Sequence, residues 1–376
     1  MYIILSLFAV VAIIALWTES MPYESQRKQL IIPCLILMAI VSGTRLCGGL
    51  DFPTYEGHYR QLATFPNVLN PAYVNKNYEL GYTYFAAFFK TLGVSFYGFC
   101  VIHAMVFYTC LWKGISRYTD HFGIVLLIFL YKLFFYDTMI SMRQSLTIAF
   151  FFLMLPMIEQ KQWIRYYLCA FVASKFHNGA YLLFLLYPLA YISLTKKRIL
   201  WLNIIFIPTM FIGFLGIDIL GPIGHFLADN ATSGMMADKA QKYFNNENLS
   251  PIGIFHTVEY FIIMFIVYKK LDEFDLEDPA VHTVMVMFLC LLPLFTLLRG
   301  SEILTREKDY FVIFYAVVLG YVMDISQSWK SYIKMFVLLL CTFGYYRYVL
   351  LFDNGAFLRY ESWLFSDSYS YSFFLD

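Results

Sequence analysis

The sequence predicts an all-α integral membrane protein that crosses the bilayer many times. Hydrophobic residues make up 60% of its 376 residues and charged residues only 14%, whereas soluble domains average about 45–50% and about 25%. The mean hydropathy is +0.63, and apolar runs recur along the whole chain. With a net charge of only +1, the sequence gives no indication of a nucleic-acid partner.

Apolar runs close to the length of a transmembrane helix, about 17–25 residues, predict the spans in order. We expect about 11–12 of them in a single membrane domain that covers residues 1–376. The segment 79–93 is too short to cross comfortably and contains Lys90, so an interfacial or re-entrant helix is predicted there. The 163–194 stretch fits either two thin helices or one helix followed by a broken one. The runs lie near residues 2–17, 29–46, 95–113, 122–136, 139–158, 163–175, 176–194, 199–219, 252–269, 281–298, 309–324 and 331–350.

The short connections on one side of the membrane are basic, for example "ESQRKQ", "LTKKR" and "SWKSYIK". The positive-inside rule places these connections in the cytoplasm. The outer side then holds two long loops, 47–80 and 220–251, and the tail 351–376. Polar residues concentrate on that outer side, and the halves of the chain show no inverted repeat of the kind found in transporters.

Arg143 and Gln144 stand at the outer start of the fifth span, in "MRQSLTIAF". A charge near hydrocarbon depth costs roughly 2.5–3.5 kcal/mol on insertion scales, so it is normally functional. A guanidinium offers a planar fork to phosphate oxygens, which predicts anion recognition. The alternatives are an ion pair with Asp137 or an arginine that extends towards the interface.

Two carboxylates on the same face, Asp51 and Glu79, are candidates for a general base or a ligand of a substrate hydroxyl. Asp51 lies between two glycines and Pro53, so a turn-forming role is the alternative. Flanking aromatic residues are suited to stack on sugar rings or to form an interfacial belt. These candidates for substrate binding are Tyr55, Tyr59 and Tyr82.

Lys175, His177 and Asn178 interrupt an apolar segment at a predicted break. Three polar groups within four residues indicate a binding function, although His177 by itself also fits an interhelical hydrogen bond. Arg299 and Arg306 add cations to a further outer turn, where neighbouring acidic residues make a solvated turn the alternative. No metalloprotease, lipase or nucleotide-binding motif is present in the sequence, and neither a metal nor a cofactor is expected.

Four short motifs, in order over residues 48–182, resemble the EpsG-like proteins, which belong with the Wzy-type polysaccharide polymerases of O-antigen and capsule synthesis. "GGLDFPTYEGHY" is similar to their G-x-D-x-x-x-Y-x-x-x-Y loop, and "YELGY" to their E-x-G-Y element. "MRQSLTIAF" resembles their R-Q helix start, with Thr147 where alanine is usual. "KFHNGAYL" resembles their F-H-x-(S/G)-A segment.

The resemblance implies a glycosyltransferase that polymerises undecaprenyl-pyrophosphate-linked oligosaccharides at the outer face of a bacterial cytoplasmic (inner) membrane. A chain-length regulator and a flippase of the same pathway are implied partners, besides the lipid bilayer. The alternatives are a flippase or transporter of the same lipid-linked saccharide, or a membrane transferase that modifies the glycan. Taken together, the residues and the resemblance predict catalytic roles for Asp51, Glu79, Arg143 and His177. They predict substrate contacts for Tyr55, Tyr59, Tyr82, Gln144, Lys175, Asn178, Arg299 and Arg306.

Overall fold

The computed structural model describes residues 2–46, 49, 51–75, 77–212, 252–296, 306–350 and 360–365, with four single positions between 222 and 229. Within these ranges the chain is helical, and its only β pairing is an isolated bridge between Arg45 and Ser362. The all-α prediction is therefore confirmed. Most of the two outer segments predicted over 220–251 and 351–376 lies outside the described residues.

Every predicted apolar run coincides with a helix in the described part of the chain. The π-helix Tyr136–Ile140 precedes α7, and the 3-10 helix Asn178–Leu182 precedes α9. The helices are α1 (Tyr2–Thr18), α2 (Glu24–Gly43), α3 (Phe52–Gln61), α4 (Leu80–Thr91), α5 (Phe96–Ile115), α6 (Phe122–Lys132), α7 (Met142–Glu159), α8 (Trp163–Ser174), α9 (Leu183–Leu189), α10 (Lys196–Ile212), α11 (Ile252–Lys270), α12 (Pro279–Leu289), α13 (Leu291–Thr296), α14 (Phe314–Ile325) and α15 (Gln327–Leu350).

Four stretches in the described residues are long and apolar enough to cross a bilayer: Glu24–Gly43, Phe96–Ile115, Met142–Glu159 and Pro279–Thr296. Three shorter apolar helices accompany them, at Ile3–Thr18, Phe122–Lys132 and Asn178–Leu189. The chain is therefore a multi-pass membrane protein. The ambiguous 163–194 stretch forms two short helical pieces separated at Lys175, Phe176 and His177.

The predicted first outer loop contains a helix, α3, that the hydropathy pattern does not reveal. Phe52, Tyr55, Glu56 and Tyr59 follow the i, i+3, i+4, i+7 spacing and are all buried, which gives the helix one packed face. Pro53 occupies the first turn, where its missing N–H leaves no helical hydrogen bond unmade. At the other end of α3, Lys90 Nζ donates to the carbonyls of Tyr59, Arg60 and Leu62 at 2.6–2.9 Å.

The chain divides into two compact units, Met1–Tyr187 with Ser328–Asp376 and Pro188–Gln327. In the first unit, α5 packs between α2 and α7, α1 packs on α2 and α6, and α8 packs on α7. In the second unit, α11 packs on α13 and α14, and α10 packs on α13. That the two units act as the single membrane domain predicted from the sequence stays a prediction.

In the first unit, a buried polar contact joins the C-terminal end of α1 to the N-terminal end of α6. The α2–α3 connection lies at the C-terminal end of α2, away from this contact. His121 Nδ1 lies 2.5 Å from Glu19 Oε2, and both side chains are buried. Gly123 N donates to the second carboxylate oxygen at 2.9 Å, and Lys334 Nζ donates to the Glu19 carbonyl at 2.8 Å. These bonds connect α1, α6 and α15, so they fix one end of the scaffold that positions the candidate site.

Candidate functional site

The candidate site lies in the first unit, where segments distant in sequence meet around Arg143. This arginine occupies the first turn of α7, and its Nη1 lies 2.6 Å from Glu79 Oε2. The pair is partly exposed, with 24% of the arginine side chain and 14% of the glutamate side chain accessible. The sequence offered Asp137 as an ion-pair partner of Arg143, but Arg143 pairs with Glu79 instead.

Two aromatic rings complete the surroundings of the Arg143 guanidinium. Its carbon lies 4.9 Å from the ring centroid of Tyr78 and 5.8 Å from that of Tyr55. Its Nε donates to the Tyr55 hydroxyl at 3.4 Å. A cation at a helix N-terminus opposes the helix dipole, so the ring faces and the Glu79 carboxylate together offset an unfavourable position.

Glu79 also links the start of α4 to the segment that follows α8. Its Oε1 accepts a hydrogen bond of 3.3 Å from Asn178 N. Two residues further on, Gly81 N donates to the Lys175 carbonyl at 2.7 Å, and Tyr82 N donates to the same oxygen at 3.3 Å. The "YELGY" and "KFHN" segments therefore form one hydrogen-bonded unit, with Glu79 between it and Arg143.

Stacked aromatic rings form one wall of the site. His58 lies flat on Tyr78, with ring centroids 3.7 Å apart and an interplanar angle of 12°. Tyr55 and Tyr82 contact Tyr78 with centroid distances of 6.1 Å each. Tyr55, His58 and Tyr82 are buried, whereas Tyr78 is partly exposed, so of these four rings Tyr78 is the one accessible to a sugar. Sequence reasoning gave no site role to His58, although His58 follows Tyr55 by three residues and so shares its face of α3.

Burial lowers the pKa of His58 to about 4, and the positive charges of Arg143 and Lys90 add to the shift. Because the folded-state pKa lies below the ordinary value of 6.5, the stabilisation from a neutral His58 is present above pH 6.5 and is lost as pH falls through about 4. A shift of this size corresponds to at most about 3 kcal/mol.

We therefore expect acid to destabilise the purified protein partly through His58. The His58→Phe variant keeps an aromatic ring against Tyr78 and removes the titration. Thermal midpoints measured between pH 6.5 and 4 should fall less steeply for the variant than for the unmodified protein. Parallel curves for the two proteins would contradict this role of His58.

Asp51 is the residue that immediately precedes α3. It is exposed, and no hydrogen bond from a described residue engages its carboxylate. Burial raises the pKa of Tyr78 to about 12, and the negative charges of Asp51 and Glu79 add to the shift. Asp51 is therefore electrostatically close to the ring that contacts Arg143, and its carboxylate is accessible to a ligand.

The residues that follow α8 supply further polar groups. His177 Nδ1 accepts a hydrogen bond of 2.8 Å from Gly179 N, which in a neutral imidazole leaves the proton on Nε2. Lys175 Nζ lies 4.5 Å from the Phe171 ring centroid, and the side chain of Asn178 is exposed. Gln144, next to Arg143 in the chain, is buried.

One predicted substrate contact, Tyr59, stands apart from this group. Tyr59 is buried in the core, where its hydroxyl donates to the Val94 carbonyl at 2.8 Å and its ring stacks on Phe99 at 5.2 Å. Arg306 belongs to the second unit, and Arg299 lies outside the described residues. No group of three or more His, Cys, Asp or Glu residues that could hold a metal occurs in the part of the chain that the structure describes.

Comparison with known proteins gives one match. A protein-family model described as "EpsG family" matches residues 28–362, which include all of the segments that form the candidate site. No curated protein and no solved structure matches the chain.

Proposed function

Because this chain belongs to the EpsG family, we propose that it polymerises lipid-linked oligosaccharides at the outer face of a bacterial cytoplasmic membrane. In this proposal the growing glycan is transferred from an undecaprenyl pyrophosphate carrier to the non-reducing end of a new repeat unit. The family supports a polymerase-type role, and the site supplies the reasons for a lipid pyrophosphate. A flippase and a chain-length regulator of the same pathway are the proposed partners.

The observation on which the proposal depends is the position of Arg143. Its guanidinium is held by Glu79 and by two ring faces, yet about a quarter of the side chain is exposed. A fixed and partly exposed guanidinium suits an anionic leaving group. The apolar helix that carries it suits a leaving group that is anchored to lipid. Pre-oriented donors stabilise developing charge better than mobile ones, because no reorganisation is needed when the bond breaks.

The proposed reaction is a displacement at the anomeric carbon of the donor sugar. A hydroxyl oxygen of the acceptor forms the new bond to that carbon. The bond from the carbon to the pyrophosphate oxygen breaks, and its electron pair leaves with the pyrophosphate. Arg143 stabilises the negative charge that develops on this leaving group, and the imidazole of His177 is proposed to contribute to the same stabilisation.

The acceptor hydroxyl loses a proton in this step, and Asp51 is the proposed base. From the sequence, Asp51 and Glu79 were alternative candidates for this base. Glu79 Oε2 pairs with Arg143 and its Oε1 accepts from Asn178 N, whereas the Asp51 carboxylate is accessible. We therefore propose that Glu79 positions Arg143 and that Asp51 accepts the proton.

The direct test is an assay of the purified protein in detergent with a lipid-linked repeat unit as the only substrate. The proposal predicts a ladder of longer lipid-linked glycans and release of one polyprenyl pyrophosphate for each bond formed. The Asp51→Asn variant, which keeps the size of the side chain and removes the base, should lose about 10²–10⁴-fold in rate.

An assay in detergent distinguishes the polymerase proposal from its main alternative, a flippase. A flippase needs a membrane with two sides and does not change the covalent structure of its cargo. Unaltered repeat units in the detergent assay, together with transbilayer movement in vesicles, would therefore overturn the polymerase proposal in favour of the flippase.

A further inference from the structure

Arg45, just after α2, is a charged residue with no exposure to solvent. Its Nη1 donates to the Ser42 carbonyl, and its guanidinium carbon lies 5.2 Å from the Phe52 ring centroid. Among the described residues, no group accepts a hydrogen bond from its Nε or its Nη2. A buried charge without a counter-ion is strongly unfavourable, so its retention calls for an anion that binds there.

The position of Arg45 relates it to the candidate site through α3. Arg45 contacts Phe52, and Arg143 contacts Tyr55, three residues further along the same helix. The Cα atoms of Phe52 and Tyr55 are separated by about 4.5 Å along the helix axis. Two guanidinium groups therefore contact neighbouring rings in the first turn of α3.

The charge balance of the site favours a second cation. Glu79 neutralises Arg143 at 2.6 Å, so the pair adds almost no net charge. A pyrophosphate group bears at least two negative charges and is bound best where the net charge is positive. Nε and Nη2 of Arg45 make no hydrogen bond to a described residue, so these two donors are available to an anion.

A short C-terminal segment, residues 360–363, lies beside Arg45, and Ser362 forms an isolated β-bridge with its backbone. Leu46 N donates to the Glu361 carbonyl at 2.8 Å, and Trp363 N donates to the Thr44 carbonyl at 3.0 Å. The Tyr360 hydroxyl donates to the Val41 carbonyl at 2.9 Å and lies 3.1 Å from Thr44 Oγ1. Trp363 Nε1 is a second buried donor for which the described residues provide no acceptor.

We propose that Arg45 is a second phosphate-binding side chain for the lipid pyrophosphate, and that residues 360–363 cover it until that group binds. This inference rests on the proposed function. The described contacts of this segment are one β-bridge, four hydrogen bonds and a ring contact of Trp363 with Tyr97, and we propose that a strongly bound anion displaces it. Arg45 and Arg143 then bind the same pyrophosphate from two sides of the first turn of α3.

The test measures ligand binding to the purified full-length protein by thermal stabilisation and titration calorimetry. The probes are inorganic pyrophosphate for a free anion, farnesyl pyrophosphate for a lipid headgroup, and farnesol for the lipid chain alone. We expect farnesyl pyrophosphate to bind, and the Arg45→Gln variant to bind it about 10–100-fold more weakly. The control Arg60→Gln, which alters an exposed arginine of α3, should change the affinity less than twofold.

The stability of the ligand-free protein separates this role from a structural one. Removal of an uncompensated buried charge should leave the thermal midpoint of Arg45→Gln unchanged or higher. A lower midpoint together with unchanged affinity for farnesyl pyrophosphate would overturn the proposal, and so would equal stabilisation by farnesol and farnesyl pyrophosphate.

A second variant keeps the proposal testable even if Arg45→Gln does not fold. Tyr360→Phe removes the hydroxyl that fastens the covering segment, so farnesyl pyrophosphate should bind about 2–10-fold more tightly. Weaker binding of farnesyl pyrophosphate to Tyr360→Phe would contradict the proposal that residues 360–363 cover Arg45. If the binding of farnesyl pyrophosphate depends on Arg45 but no polymer is made, only the proposed function is refuted. If polymer is made but the binding does not depend on Arg45, only this inference is refuted.

Discussion

The Arg143→Gln variant should lose polymer synthesis by about 10²–10³-fold in rate, because it removes the fixed charge that we assign to the leaving pyrophosphate. Arg143→Lys should also be impaired, since an ammonium group cannot reproduce the planar fork that contacts Glu79, Tyr55 and the ligand together. The measurement is the rate of glycan elongation by purified protein. Arg165→Gln, an exposed change at the start of α8, is the control and should retain full activity.

A charge swap distinguishes catalysis from a structural role of the same pair. Arg143→Glu combined with Glu79→Arg restores an ion pair between α7 and the start of α4. If the pair only ties these helices together, the double variant should regain activity as well as stability. Our proposal predicts that stability recovers while elongation does not, because the cation has moved away from the leaving group. Recovered elongation would contradict the proposed role of Arg143.

The Gly81→Ala variant should have the second large effect, through the position of the site rather than through its chemistry. A Cβ atom at residue 81 would lie 2.7 Å from the Lys175 carbonyl oxygen and 2.9 Å from Phe176 Cδ2. The carbonyl cannot move away cheaply, since it accepts hydrogen bonds from Gly81 N and Tyr82 N. We expect a loss of about 1–3 kcal/mol in stability and of about 10²-fold in elongation rate, as His177 and Asn178 shift relative to Glu79.

Gly57→Ala is the matched control for this prediction. Gly57 lies in α3, and a Cβ atom there would have no neighbour within 4 Å. Alanine favours a helix over glycine by about 1 kcal/mol, so this variant should be as stable as the unmodified protein or more stable. Similar thermal midpoints and elongation rates for the two glycine variants would show that the contact of residue 81 with Lys175 is not critical.

The helical fold could be predicted in detail from the sequence because hydropathy is a local property. An apolar run such as 139–158 needs no distant partner to favour a helix in lipid, where each backbone group must be satisfied within its own segment. Arg143 and His177 were identified for the same reason, as costly interruptions of such runs, whereas Asp51 and Glu79 were identified as carboxylates on the predicted outer side. The helix α3 was missed because its segment was assigned to an outer loop from its low hydropathy, and its apolar spacing was not considered.

The pairing of these residues was decided by the tertiary structure alone. From the sequence, Asp137 was a natural partner for Arg143 because it is only six residues away. The packing of α4 against the segment after α8 instead brings Glu79 to the arginine, and it directs Tyr59 into the core. Hydropathy and motifs therefore determined which residues are out of place in a membrane protein. Only the folded chain determined which of them meet, because contacts between distant segments depend on how whole helices pack.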